Sequence, residues 1–161
     1  MPVERAALIC TPEEAKDYYR AKLVGTHKIT CRGSEVKIGF LYEAVHFYSV
    51  SAPDPVPCGA QILTQPRKGG CFEVRVFSLD RARLMDEILR AISLFTVSLP
   101  GKTQAAQRRV LHGPRLPDGR YMRVVLQQGR KDVWTCLSAF PVSERAWLEA
   151  QRAKTAKFPP E

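Results

Sequence analysis

The sequence is poor in the residues on which metal and nucleophilic sites are usually built. It has three histidines, His27, His46 and His112, and no H-x-H or H-E-x-x-H spacing joins them, so no metal site is expected. The five cysteines, Cys10, Cys31, Cys58, Cys71 and Cys136, are odd in number and lack close pairs. That argues against a zinc cluster or a disulfide framework, and free thiols in a reducing cytoplasm are the simplest reading. There is no G-x-S-x-G elbow, and "PGKT" lacks the leading glycine and spacing of a phosphate-binding loop, which sets aside serine hydrolase and nucleotidase chemistry. No apolar run reaches the roughly 18 residues that span a bilayer. The opening "MPVERAALIC" carries Glu4 and too short an apolar stretch for a secretory signal, so neither membrane insertion nor export by that route is expected. Repeats and low-complexity tracts are absent as well.

What the chain has in excess is positive charge. Its 25 lysines and arginines against 16 acidic residues give a formal charge of +9 over 161 residues, and a soluble basic domain attracts polyanions, nucleic acid foremost. The arginines concentrate in "QRRVLHGPR" and "GRYMRVV". The length suits one domain over residues 1–161 with a hydrophobic core of its own.

Local patterns predict an α+β fold. "CTPEEAKDYYRAKLVG" offers Thr11 as N-cap, Pro12 at the first helical position and Glu14 to complete a capping box, for a helix to about Leu23. "HKITCRGSEVKIGF" reads as a hairpin about "RGSE", and "LYEAVHFY" fits a helical turn or a continuing strand equally. Pro53, Pro55, Pro57, Pro66, Gly69 and Gly70 mark a loop at about 51–70 with a brief "AQILT" run inside. After the strand-like "CFEVRVFS", one long amphipathic helix is expected in "SLDRARLMDEILRAISLF". Ser78 would cap it, and Leu84, Met85, Ile88, Leu89 and Ile92 would form its apolar stripe. "PGKTQAAQ" breaks the pattern. "RRVLHG", "RYMRVVLQ" and "VWTCLSAF" then read as a C-terminal antiparallel sheet under that helix, and "SERAWLEAQRAKTAK" as a final basic helix.

Period-2 alternation places Met122, Val124 and Leu126 on one face of "GRYMRVVLQ" and Tyr121, Arg123 and Gln127 on the other. Ser138 would reach that second face if its strand bulges near its end or pairs with the Trp134 side outward. His, Arg, Tyr and Ser/Thr on a basic domain suit metal-independent RNA cleavage. In that chemistry the RNA 2′-hydroxyl attacks the adjacent phosphate, and the protein supplies a base, an acid and cations. No cofactor is required.

The order of segments, an amphipathic helix followed by "RRVLHG", "GRYMRVVL" and "WTCLSAFP", resembles the C-terminal half of the barnase/EndoU/colicin/RelE (BECR) ribonuclease grouping, phage- and toxin-associated members included. "GSEVKIGFLYEAVH" is similar to that grouping's strand followed by a histidine. The resemblance implies a BECR-like fold and a small toxin or phage-type endoribonuclease. His46 would be general acid or base, Arg109 and Arg123 would stabilise phosphate charge, Tyr121 would stack on a base or assist proton transfer, and Ser138 would orient the scissile phosphate. Arg108, Arg115 and Arg120 would contact RNA, and a cognate inhibitor protein is a candidate partner beside RNA itself. Two other readings stay open, a non-catalytic nucleic-acid-binding module on the same basic scaffold and a protein-interaction domain.

Overall fold

The computed structural model describes residues 2–101 and 107–160, and positions 102–106 of "PGKTQAAQ" lie outside them. The chain divides into two compact units. The first takes the chain up to Leu23 together with Tyr42–Asp86, and the second takes Val24–Leu41 and the chain from Glu87 on.

In the first unit, helix α1 (Pro12–Lys22) starts where its caps require. Thr11 Oγ1 accepts the Glu14 N–H, and the Glu14 carboxylate receives Cys10 N–H and the Thr11 hydroxyl. These bonds satisfy helix-end donors that would otherwise be orphaned. The helix buries Ala15, Tyr18 and Tyr19, and Tyr19 stacks on Phe47 at 5.1 Å. "LYEAVHFY" forms a single 3₁₀ turn over Val45–Phe47 and then enters strand β3 (Ser49–Ser51). With β4 (Ile62–Pro66) and β5 (Phe72–Phe77) it makes a three-stranded antiparallel sheet in the order β3-β5-β4. The Pro-rich loop therefore surrenders Ile62–Pro66 to a strand. Arg75 is buried in this sheet, donating to Ser49 Oγ at 2.7 Å, to the Ser49 carbonyl at 2.9 Å and to Glu73 at 3.3 Å.

The second unit holds β1 (Gly25–Cys31), β2 (Ser34–Phe40), β6 (Val97–Pro100), β7 (Arg108–Arg115), β8 (Tyr121–Gln128) and β9 (Val133–Val142). They form one six-stranded sheet in the order β1-β2-β9-β8-β7-β6, antiparallel throughout except where β2 runs parallel to β9. The β1–β2 turn has positive φ at both central residues, Arg32 (48°) and Gly33 (83°), the twist that a two-residue hairpin requires. One face of the sheet carries Val36, Ile38, Met122, Val124, Leu126 and Trp134, all buried. Gly113 lies in the bulged part of β7, where a Cβ would come within 2.7 Å of Ala91 Cβ and 2.9 Å of Ala91 Cα. That close approach lets a helix settle on the strand.

Two features of the expected fold are overturned. The α+β, BECR-like arrangement with one long helix on a C-terminal antiparallel sheet is replaced by a fold that, among the described residues, is mostly sheet with four short α-helices. The long amphipathic pattern splits into α2 (Leu79–Arg83) and α3 (Asp86–Ser93). At the break, Leu84 and Met85 N–H groups bond three residues back, to Arg81 and Ala82. The Asp86 carboxylate receives the Ala6 N–H at 2.9 Å and the Tyr18 hydroxyl. The periodicity itself is sound, since Met85, Ile88 and Ile92 are buried. What it cannot show is that the chain passes from one compact unit to the other between Asp86 and Glu87. The second correction is that the sheet is neither wholly C-terminal nor wholly antiparallel, because the expected N-terminal hairpin joins it through β2, which runs parallel to β9.

The last helix, α4 (Glu144–Arg152), is capped by Ser143, whose Oγ accepts the Ala146 N–H. Beyond it, Ala156 N–H bonds the Ser98 carbonyl of β6, and Phe158 packs edge-on against Trp134 and Phe95. Among the described residues no helix is long and apolar enough to cross a membrane.

Candidate nucleic-acid interface

Direct cross-strand partners share a face, so the register identifies what lies opposite the apolar side of the six-stranded sheet. Lys28 pairs with Lys37, and Lys37 with Val133. Thr135 pairs with Gln127, and Gln127 with Arg108. Phe140 pairs with Arg123, and Arg123 with His112. Lys28 and Lys37 are exposed, and Arg108, Arg123, Gln127, Thr135, Ser138 and Phe140 are half-buried. Among the described strand residues on this face the one carboxylate is Glu35.

Ser138 reaches this face through a bulge. It pairs with Val125, whereas Cys136 pairs with Leu126, so Leu137 is the extra residue. A bulge reverses the alternation, leaving Trp134 and Cys136 on the apolar side and turning Ser138 and Phe140 toward Arg123. The Arg123 guanidinium carbon lies 5.9 Å from the Phe140 ring centre, and its Nε donates to His112 Nε2 at 2.9 Å. His112 is fully buried. Burial, with the Arg123 charge beside it, pushes its pKa down to about 4, so near neutral pH the ring is uncharged and Nε2 acts as acceptor. Burial also lowers the Arg123 pKa, opposed by the charge of Glu149 on α4.

The other sequence-predicted residues are placed as follows. Arg108 joins the face, its Nε donating to Gln127 Oε1 at 2.8 Å. Arg109 pairs with Leu126 and so points to the opposite side. There its Nε holds the Lys157 carbonyl at 2.9 Å and its Nη1 the Arg108 carbonyl at 2.8 Å, tying down the C-terminal tail. Tyr121 is buried with its ring stacked on Trp147 at 4.5 Å and 7°, so that ring face is already occupied. Arg120 is clamped on Asp118 through its backbone N–H, Nε and Nη2 at 2.7–3.0 Å, and these bonds hold the Asp118 carboxyl below its ordinary pKa. Arg115 stands at the far end of β7, lining a cleft with Glu87, Arg90, Leu116 and Pro117. His46 belongs to the first unit, while Arg109, Tyr121, Arg123 and Ser138 belong to the second. It sits in the 3₁₀ turn with its ring 4.5 Å from that of Phe47, its carbonyl accepting from Arg81 and its Nε2 closed from solvent.

Sequence reasoning missed Lys28, Lys37 and the His112–Arg123 bond. The lysines were within reach, because a two-residue turn at Arg32–Gly33 fixes a register that sets them directly opposite. The His112 bond depends on how β7 pairs with β8, which no local pattern states. Among the described residues no group of three His, Cys, Asp or Glu side chains could hold a metal ion. Comparison with protein-family models, with curated proteins and with solved structures finds no match for this chain.

Proposed function

We propose that the protein binds single-stranded RNA through the polar face of its six-stranded sheet. The observation that carries this reading is the pairing of two like charges, Lys28 and Lys37, on a face that also presents Arg108 and Arg123, with Glu35 the one carboxylate among its described strand residues and Glu149 of α4 acting on Arg123 from outside the sheet. Like charges set directly opposite on a sheet destabilise it, and a phosphate between them removes that cost. Phe140 supplies a ring on which an unstacked base can rest, and Gln127, Thr135 and Ser138 supply hydrogen-bonding groups beside it. A sheet face with these groups suits a strand whose bases are splayed out rather than a closed duplex.

The test is anisotropy of a fluorescein-labelled 20-nucleotide RNA titrated with the protein at several salt concentrations. Neutralising four phosphates on a single strand corresponds to a log–log salt slope of about −3. The double variant Lys28→Gln/Lys37→Gln should reduce that slope by about 1.4. Absence of binding at about 50 mM salt, or an unchanged slope in the double variant, would sink the reading.

The bulge that turns Ser138 toward Arg123 favours a second reading, cleavage of the bound RNA by its own 2′-hydroxyl in the manner of a small toxin or phage ribonuclease. Recovering the RNA after incubation decides between the two. Fragments ending in a 2′,3′-cyclic phosphate point to cleavage, and intact RNA to binding alone. A protein inhibitor would belong with the first outcome.

A further inference from the structure

We infer that His112 is a positioning residue for the RNA face: by accepting a hydrogen bond from Arg123 Nε, it fixes that guanidinium beside Phe140 so that the two terminal nitrogens can grip one phosphodiester of the strand. This inference rests on the RNA-binding reading and adds a residue to it.

The geometry is specific. His112 and Arg123 are direct cross-strand partners on adjacent strands. The histidine is fully buried and therefore cannot touch RNA itself, yet its Nε2 sits 2.9 Å from Arg123 Nε. An Nε2 that accepts leaves the ring proton on Nδ1, and Nδ1 is buried with no partner among the described residues. A buried N–H without an acceptor costs stability. A leucine at 112 would avoid that cost, but it could not hold Arg123. Nη1 and Nη2 of Arg123 make no hydrogen bond among the described residues, with the Glu149 charge as their electrostatic neighbour, and a planar pair of donors matches two phosphate oxygens. Phe140, 5.9 Å away, is placed to stack the adjoining base, and the Ser138 side chain is a diagonal neighbour of Arg123.

The probe is labelled oligouridylate, 20 nucleotides long, with each variant checked for folding by circular dichroism. Arg123→Gln and His112→Leu should each weaken binding by about tenfold and reduce the salt slope by about 0.7, the signature of one lost phosphate contact. The double variant should be no worse than either single one, because the two residues act as a unit. His112→Gln, which restores an acceptor, should stay within about threefold of the wild type. A purely structural role for His112 would lower the melting temperature and leave the slope unchanged. Should His112→Leu fail to fold, Arg123→Lys keeps the charge and loses both the Nε bond and the fork, and it should weaken binding by about fivefold. Wild-type affinity and slope in His112→Leu, or in Arg123→Lys, overturn the inference. If the Lys28/Lys37 double variant still loses binding, the RNA-binding reading stands without it. A wild-type protein that ignores oligouridylate altogether removes both.

Discussion

The Nε of Arg123 donates to Nε2 of a fully buried His112 across 2.9 Å, so an obligate cation rests against an imidazole that must remain neutral. A buried, uncharged histidine of this kind makes folding sensitive to acid.

The pH dependence follows from the depressed pKa. In the unfolded chain His112 titrates near 6.5, and in the folded protein near 4, so between these values the unfolded state binds more protons. Its contribution is therefore complete above pH 6.5, declines as pH falls through the window, and is lost by about pH 4. The loss attributable to this residue is about 3 kcal/mol. Urea denaturation at pH 7 and pH 4.5 should show a steeper decline for the wild type than for His112→Gln. Parallel declines in the two proteins would contradict it.

Lys28 and Lys37 oppose stability and binding to one another. Replacing either lysine with glutamine removes a directly opposed like-charge pair and should raise stability by about 0.2–1 kcal/mol at low salt, while weakening RNA binding. The stability gain should shrink as salt screens the pair. Thermal melts at about 20 mM and 500 mM salt check this, and a lower melting temperature in the variant would refute it.

The turn between β8 and β9 stores local strain. Lys131 (φ 55°) and Asp132 (φ 60°) both occupy the left-handed region, which costs a residue with a Cβ about 1–2 kcal/mol. Lys131→Gly relieves that strain but gives the unfolded chain more freedom, so the net gain should be about 0.5 kcal/mol. A chemical denaturation midpoint below that of the wild type would show that the turn gains more from the lysine side chain than it loses in strain.

Gly113 has no such latitude. An added Cβ would lie 2.7–2.9 Å from Ala91, a fixed part of α3, so Gly113→Ala should destabilise by about 1–3 kcal/mol through overpacking. Ala91→Gly makes room for the added methyl, and Gly113→Ala/Ala91→Gly should recover part of the loss beyond what helix propensity takes away. A Gly113→Ala protein with an unchanged midpoint would mean that α3 can move away from the strand.

Much of this architecture is written locally. The Thr11–Glu14 cap, the Arg32–Gly33 turn, the alternation in β7, β8 and β9 and the Ser143 cap all depend on neighbours within a few residues, so composition and periodicity are enough to locate them. The charge that motivates an RNA-binding reading is likewise a property of the sequence. The helix break at Leu84–Met85, the parallel junction of β2 with β9 and the bulge at Leu137 depend instead on partners distant in the chain. A period of 3.6 or 2 specifies which side of an element is apolar, but it carries no information about what that side meets. Tertiary pairing alone therefore decided that Arg109 faces the tail, that Tyr121 is spent on Trp147, that His46 lies in the other compact unit, and that Arg123 is held by His112 beside Phe140.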